Sequence, residues 1–185
     1  YMTEDLYSLD VKRFQKFHSS KKFIMERVTE TLGDLYGMHW PYKQHHTSRD
    51  QRLLPYHEEL KKVGACFGQS GEYERPMWYA LNELKPEYNY SFNDQNWYPS
   101  VKFECKNTLE NVGLFELSPF SKYEIKGVKA HEELQRLCTA NIKNEIGKCT
   151  YTHMLNEGAG IETDLTVVCL EKNHFRIISS AAVRT

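Results

Sequence analysis

One carboxylate stands out for its placement. In the run Tyr151 to Leu170, YTHMLNEGAGIETDLTVVCL, Asp164 falls where a polar turn gives way to the apolar residues Leu165, Val167, Val168 and Leu170. A carboxylate at the mouth of a buried strand lies at the edge of an apolar cavity. Its charge is poorly screened there, so it can stabilise a cationic iminium or draw a proton from a ring amine. The same residues also read as a solvated acid that ends a turn, and taken alone they favour that second outcome.

Other chemistries find less support. Neither G-x-G-x-x-G nor G-x-x-x-x-G-K-[ST] occurs, so the chain carries no phosphate cradle for a dinucleotide or nucleotide. His45 and His46, with Asp50 and His39 nearby, could be taken for metal ligands. Adjacent histidines point apart on helices and strands alike, so they read as exposed loop residues and no metal site is expected. Cys66, Cys105, Cys138, Cys149 and Cys169 form no C-x-x-C pair. Their odd number suggests reduced thiols, acting as small buried hydrophobes in an intracellular compartment. Glu74-Arg75-Pro76 and the following Met77-Trp78-Tyr79 read as an aromatic plug beside a salt-bridging neighbour.

The elements that must position Asp164 follow from periodicity. Ser19 or Ser20 can cap a helix bearing Ile24, Val28, Leu32 and Leu35 on one face, with Gly37 as terminator. The polar stretch Tyr42 to Arg52 reads as a loop, and a short helix is expected from about Pro55 to Val63. Between Gly64 and Asn96 the chain looks loop-rich, with one alternating run at Tyr88, Tyr90 and Phe92. A helix from about Pro99 to Asn111 places Val101, Cys105 and Leu109 together. Strands are then expected at Val112–Leu117 and Lys122–Lys126, and a helix through Ala130, Leu134 and Leu137. Three more strands follow at Cys149–Leu155, Asp164–Leu170 and Phe175–Ser179, the last two joined as a hairpin by Glu171-Lys172-Asn173. A helix among antiparallel strands is an α+β signature, here an antiparallel or mixed sheet with packed helices behind a helical linker region.

The 185 residues suffice for one full domain, or one plus part of another. With 24 basic against 25 acidic residues and a formal charge of -1, nothing favours nucleic acid or an anionic membrane as partner. No apolar run approaches the ~20 residues that cross a bilayer, and no secretory signal pattern opens the chain. It begins on Tyr1 and stops at Thr185 just after HFRIIS, so a soluble piece of something larger is expected.

The run Tyr151 to Leu170, with VGLFELSPFSKYEIKG before it, resembles the folate-binding, aminomethyltransferase-like domain of the dimethylglycine and sarcosine dehydrogenases. LYSLDVKRF, LLPYHEELKKVGACFG, ERPMWY and Asn96-Trp97-Tyr98 are similar to the linker that joins the flavin half of those enzymes to the folate half. The resemblance implies a linker over 1–66 and the first part of a tetrahydrofolate-binding domain over 67–185. It implies an oxidoreductase acting on an N-methyl amine, in which FAD belongs to a preceding domain and this piece alone is inactive. Asp164 takes the position of the family's catalytic aspartate, and Tyr151, Ile178 and Ser180 match positions that line its folate site. An electron-acceptor protein would be met through the flavin domain, in the mitochondrial matrix of a eukaryote or otherwise in the cytoplasm. The sequence differs from the family pattern at Glu116, Ala159, Arg176 and Ser180. A non-catalytic relative, the regulatory subunit of pyruvate dehydrogenase phosphatase, shares the same blocks and provides the alternative reading.

Overall fold

The computed structural model describes residues 11, 14–38 and 43–181. His39 and almost all of the LYSLDVKRF block lie outside the described residues. Two compact units divide between Glu116 and Leu117.

In the first unit, Ser20 caps helix α1 (Lys21–Gly33), its hydroxyl accepting from the Phe23 amide at 3.2 Å. The expected face forms but is not covered: Ile24, Val28, Leu32 and Leu35 remain 47–64% exposed, and Phe23 is the buried residue. Helical spacing gathers apolar residues on one side without specifying what meets them. The following loop is tied back to α1. Glu30 accepts from the His46 and Thr47 amides at 2.7 and 2.9 Å, and Arg27 donates to the Thr47 carbonyl at 2.7 Å. Helix α2 (His57–Lys62) follows with acids in its first turn and lysines in its last, the order the helix dipole favours.

The stretch after Gly64 is not a loop. Strands β1 (Ala65–Ser70) and β2 (Tyr73–Tyr79) pair antiparallel, turning through Gly71 and Glu72, both at positive φ. Two residues that normally argue against a strand concealed it. Pro76 sits opposite Phe67, where the register shifts and a missing amide is tolerated, and Gly68 sits where a Cβ would come within 2.9 Å of Gln44 and Met77. The expected boundary at 66/67 falls within β1. Tyr88, Tyr90 and Phe92 form no strand. Instead Tyr88 and Tyr90 stack at 5.5 Å, Trp97 meets both rings, and Tyr88 meets the edge of buried Trp78. Helix α3 (Tyr98–Glu110) forms as expected, yet Cys105 and Leu109 face solvent and the buried residue is Ser100. Val112–Leu117 is not a strand either, and among the described residues it pairs with none.

The second unit is a four-stranded antiparallel sheet in the order β3-β6-β5-β4, with helix α4 (Ala130–Leu137) packed on one face. Its strands are β3 (Ser121–Lys126), β4 (Cys149–Leu155), β5 (Ile161–Glu171) and β6 (His174–Ser179). This matches the α+β expectation. Alternation along β5 sends Leu165, Val167 and Cys169 into a core with Phe175, Ala130 and Leu134. The β5–β6 hairpin turns at Asn173, whose φ of 60° suits the left-handed region that asparagine tolerates. Cys138 and Cys169 fill this core and Cys66 is buried in the first unit, whereas Cys105 and Cys149 are exposed.

Candidate functional site

The alternation that buries Leu165, Val167 and Cys169 places the residues between them on the opposite face of the sheet. Rows of side chains cross that outer face from strand to strand. One runs Lys122, Ile178, Thr166, Tyr151, and its neighbour runs Glu124, Arg176, Val168, Cys149. On the other side of the first row, Asp164 of β5 faces His153 of β4. Ser180 follows Ser179, whose partner Leu165 adjoins Asp164, and it is half-buried. Tyr151, Asp164 and Ile178 are therefore brought onto one surface, with Ser180 at its end.

Asp164 is exposed and lies within β5, which already begins at Ile161. The polar turn is further back, at Asn156–Gly160, where the Asn156 side chain accepts from the amides of Gly158 and Gly160 at 3.0 and 2.9 Å. The carboxylate is exposed on the face of the sheet opposite the core. The sequence pattern located a strand but did not say which of its two faces the acid takes. Tyr151 donates its phenol hydrogen to Asp164 Oδ2 at 3.2 Å. That bond, with smaller contributions from burial and the carboxylate charge, holds the phenol above the usual tyrosine range.

Further along the same face Arg176 donates to Glu124 Oε1 through Nη2 at 2.6 Å, and His174 Nε2 lies 3.0 Å from Oε2. Arg176, which stands where the family resemblance expects an aromatic ring, is thus bound across the ladder. The hydrogen bonds from Arg176 and His174 hold the Glu124 carboxyl below the usual range. Ala159, where the pattern expects glycine, adopts a φ of 62°. Glu116 belongs to the first unit, lining an apolar cavity of about 480 Å³ with Tyr56, Leu60, Val63, Tyr79 and Phe115.

Of the histidine group, His46 donates its amide to Glu30 and the His45 ring lies 3.9 Å from that carboxylate. Among the described residues no three His, Cys, Asp or Glu side chains gather as metal ligands. Glu74 is buried and paired with Arg49, whose side chain stays partly exposed, and Trp78 further along the same strand is buried. His153 was not singled out by sequence. Only the ladder register, which sets it opposite Asp164, brings it to notice.

A family model described as the GCVT N-terminal domain matches residues 56–185. The chain belongs to that family. Residues 1–53 match a second model, the FAD dependent oxidoreductase central domain. The 4-methylaminobutanoate oxidase (formaldehyde-forming) of Paenarthrobacter nicotinovorans is 41% identical over 95% of this chain and 21% of its own length. The mitochondrial pyruvate dehydrogenase phosphatase regulatory subunit of Mus musculus is 32% identical over 97% of this chain and 21% of its own. The chain thus spans about a fifth of the curated relatives it matches. A solved structure, the glycine cleavage system aminomethyltransferase T from Bartonella henselae, superposes with a TM-score of 0.57 at 26% identity, covering 72% of this chain and 32% of that one. The GCVT-type α+β fold and the kinship to flavin-dependent N-methyl amine oxidoreductases both agree with the sequence resemblance.

Proposed function

We propose that the chain is part of a flavin-dependent N-methyl amine oxidoreductase of the dimethylglycine or sarcosine type. It contributes the region that binds tetrahydrofolate and captures the oxidised one-carbon unit, with 1–66 as linker and 67–185 as the first part of the folate-binding domain. The observation that carries this reading is the Tyr151–Asp164 hydrogen bond on an open sheet face shared with Ile178. An oriented carboxylate beside half-buried Ile178, Thr166 and Val168 suits a flat ring that bears an amine.

In this reading Asp164 acts as general base and as counter-charge for a cationic substrate, and Tyr151 keeps its carboxylate turned outward. Ile178 supplies apolar contact and Ser180 a hydroxyl. Tetrahydrofolate, when bound, supplies the nucleophilic nitrogen that takes the one-carbon unit. The residues do not fit FAD, since the sequence holds no glycine-rich phosphate loop. Flavin, amine oxidation and contact with an electron-acceptor protein are therefore assigned to the flavin half. The mouse regulatory subunit is named as mitochondrial, and the proposed setting is the mitochondrial matrix in a eukaryote, otherwise the cytoplasm.

Asp164→Asn in the full-length protein tests this. It keeps size and removes charge, so methylene-tetrahydrofolate formed per amine oxidised should fall roughly 100- to 10,000-fold, with formaldehyde released instead. An unchanged yield refutes the role of Asp164. The regulatory reading draws support from the mouse relative. It prevails if sarcosine, dimethylglycine and 4-methylaminobutanoate all fail to reduce the flavin of the full-length protein.

A further inference from the structure

We propose that His153 is a positioning residue for Asp164: it fixes the phenol that orients the carboxylate and accepts the proton that the carboxylate takes up. The role deepens, and depends on, the assignment of Asp164 as base. His153 faces Asp164 directly in the β4–β5 ladder, a pairing that sets the Cβ atoms about 4.5–5.5 Å apart. Its ring meets that of Tyr151 edge to face, with centroids 5.5 Å apart and planes at 73°. Tyr151 in turn donates to Asp164. Each of the three side chains thus adjoins the other two on one face.

The strand carrying His153 is also held along its outer edge. The Thr139 amide donates to the His153 carbonyl at 3.0 Å, the His153 amide donates to Thr139 Oγ1 at 3.4 Å, and Cys138 bridges Met154. Neighbouring Thr152 is buried and accepts from the Ala140 amide at 3.0 Å. The imidazole is therefore mounted on anchored backbone. The titratable groups beside it are Asp164, its ladder partner on β5, and Tyr151 from its own strand; Glu162, two residues before Asp164, is engaged by Asn156 Nδ2 at 2.8 Å.

Such a neighbour would serve the chemistry while a ligand is bound. When Asp164 acts as base, an N–H bond breaks and an O–H bond forms, and the carboxyl must be emptied before the next turnover. A ligand seated over the acid keeps water from it. A neutral imidazole alongside can take the proton, breaking the O–H bond, forming a ring N–H and leaving a carboxylate beside an imidazolium. No electrons change hands. The half-buried ring then returns the proton to solvent.

Two measurements test the role. In the ligand-free chain, NMR should show the His153 and Tyr151 ring protons shifting together in Asp164→Ala, and Tyr151→Leu should shift the His153 ring protons. Ring protons of His153 that ignore both substitutions overturn the cluster. In the full-length protein, His153→Ala should lower the methylene-tetrahydrofolate yield per amine oxidised on the order of 100-fold, the lower end for an acid–base group. Added imidazole should restore most of that yield, while His153→Phe, which keeps a ring against Tyr151 but no ring nitrogen, should stay low. Loss without imidazole rescue, or no loss at all, overturns the relay. If Asp164→Asn also leaves the yield intact, the assignment of Asp164 itself has failed, a result the ligand-free NMR does not depend on.

Discussion

The Glu74–Arg49 pair offers a quantitative test of what holds the first unit together. Glu74 on β2 is 1% exposed, whereas the Arg49 side chain retains 24% exposure. The carboxylate accepts from Arg49 Nε at 2.8 Å, from Arg49 Nη2 and from the Asp50 amide at 3.0 Å. Arg49 also donates to the Phe67 and His45 carbonyls, so one pair fastens the 43–52 loop to both strands of the hairpin. Burial alone would push the Glu74 carboxyl up, but the bonds from Arg49 and Asp50 outweigh it and leave the carboxyl below its usual range. Removing one partner of a fully buried pair costs about 3–5 kcal/mol. Because Arg49 can still reach water, Glu74→Gln should cost less, about 2–3 kcal/mol, or roughly 4–8 °C in Tm per kcal/mol. Chemical denaturation of Glu74→Gln, Arg49→Met and the double variant should give a double-variant cost well below the sum, because Arg49→Met already removes the charge that Glu74 balances. A loss under about 0.5 kcal/mol for Glu74→Gln would place the pair with ordinary surface contacts and refute the clamp.

Three further outcomes are expected. Ala159→Gly should raise stability by about 0.5–1 kcal/mol, because a φ of 62° strains alanine and glycine adopts it without strain; a lower melting temperature would show that unfolded-state entropy dominates. Glu30 is raised by burial but held down to about 2 by the Thr47 hydroxyl and the His46 and Thr47 amides, so its folded value lies below the ordinary carboxylate range. The stability it gives is complete above about pH 5 and is lost on acidification toward pH 2; Glu30→Gln should flatten that part of a pH-dependent melting curve, and an unchanged curve counts against the α1 loop anchor. Ultraviolet titration of Asp164→Ala should show one tyrosine ionising at lower pH than before, since the bond to Asp164 is what raises the Tyr151 phenol; an identical titration would mean the bond does not form in solution.

Where periodicity and packing coincide, the sequence was sufficient. Leu165, Val167 and Cys169 alternate in β5 and are buried together, so strand, hairpin partner and α+β class could all be read directly. Legibility ended where an element depends on distant contacts. β2 contains Pro76, which reads as a breaker until its place at a register shift is known. Val112–Leu117 has strand composition but no partner strand, and the apolar faces of α1 and α3 have no cover among the described residues. For the site, resemblance supplied Tyr151, Asp164, Ile178 and Ser180, while composition alone offered only an ambiguous acid. His153 needed the register, because cross-strand neighbours are remote in sequence and identified only by pairing.

The two-residue period of β5 also separates stability from chemistry. Leu165, Val167 and Cys169 hold α4 and Phe175 on one face, while Asp164, Thr166 and Val168 form the other. Substitution on the outer face leaves the core untouched, so that face can change chemically while the fold persists. Arg176 shows this directly: it stands on the outer face, and its charge is met by Glu124 on the neighbouring strand at no expense to Phe175 beneath. A slip of one residue in the β4–β5 register would turn edge strand β4 over, burying Tyr151 and His153 and exposing Thr152. Thr152 guards against such a slip, since it is buried opposite Leu165 with its hydroxyl on the Ala140 amide. Thr152→Val should therefore destabilise the unit, because it leaves the half-buried Ala140 amide without its acceptor, and the same loss should loosen the register that sets Asp164 opposite His153.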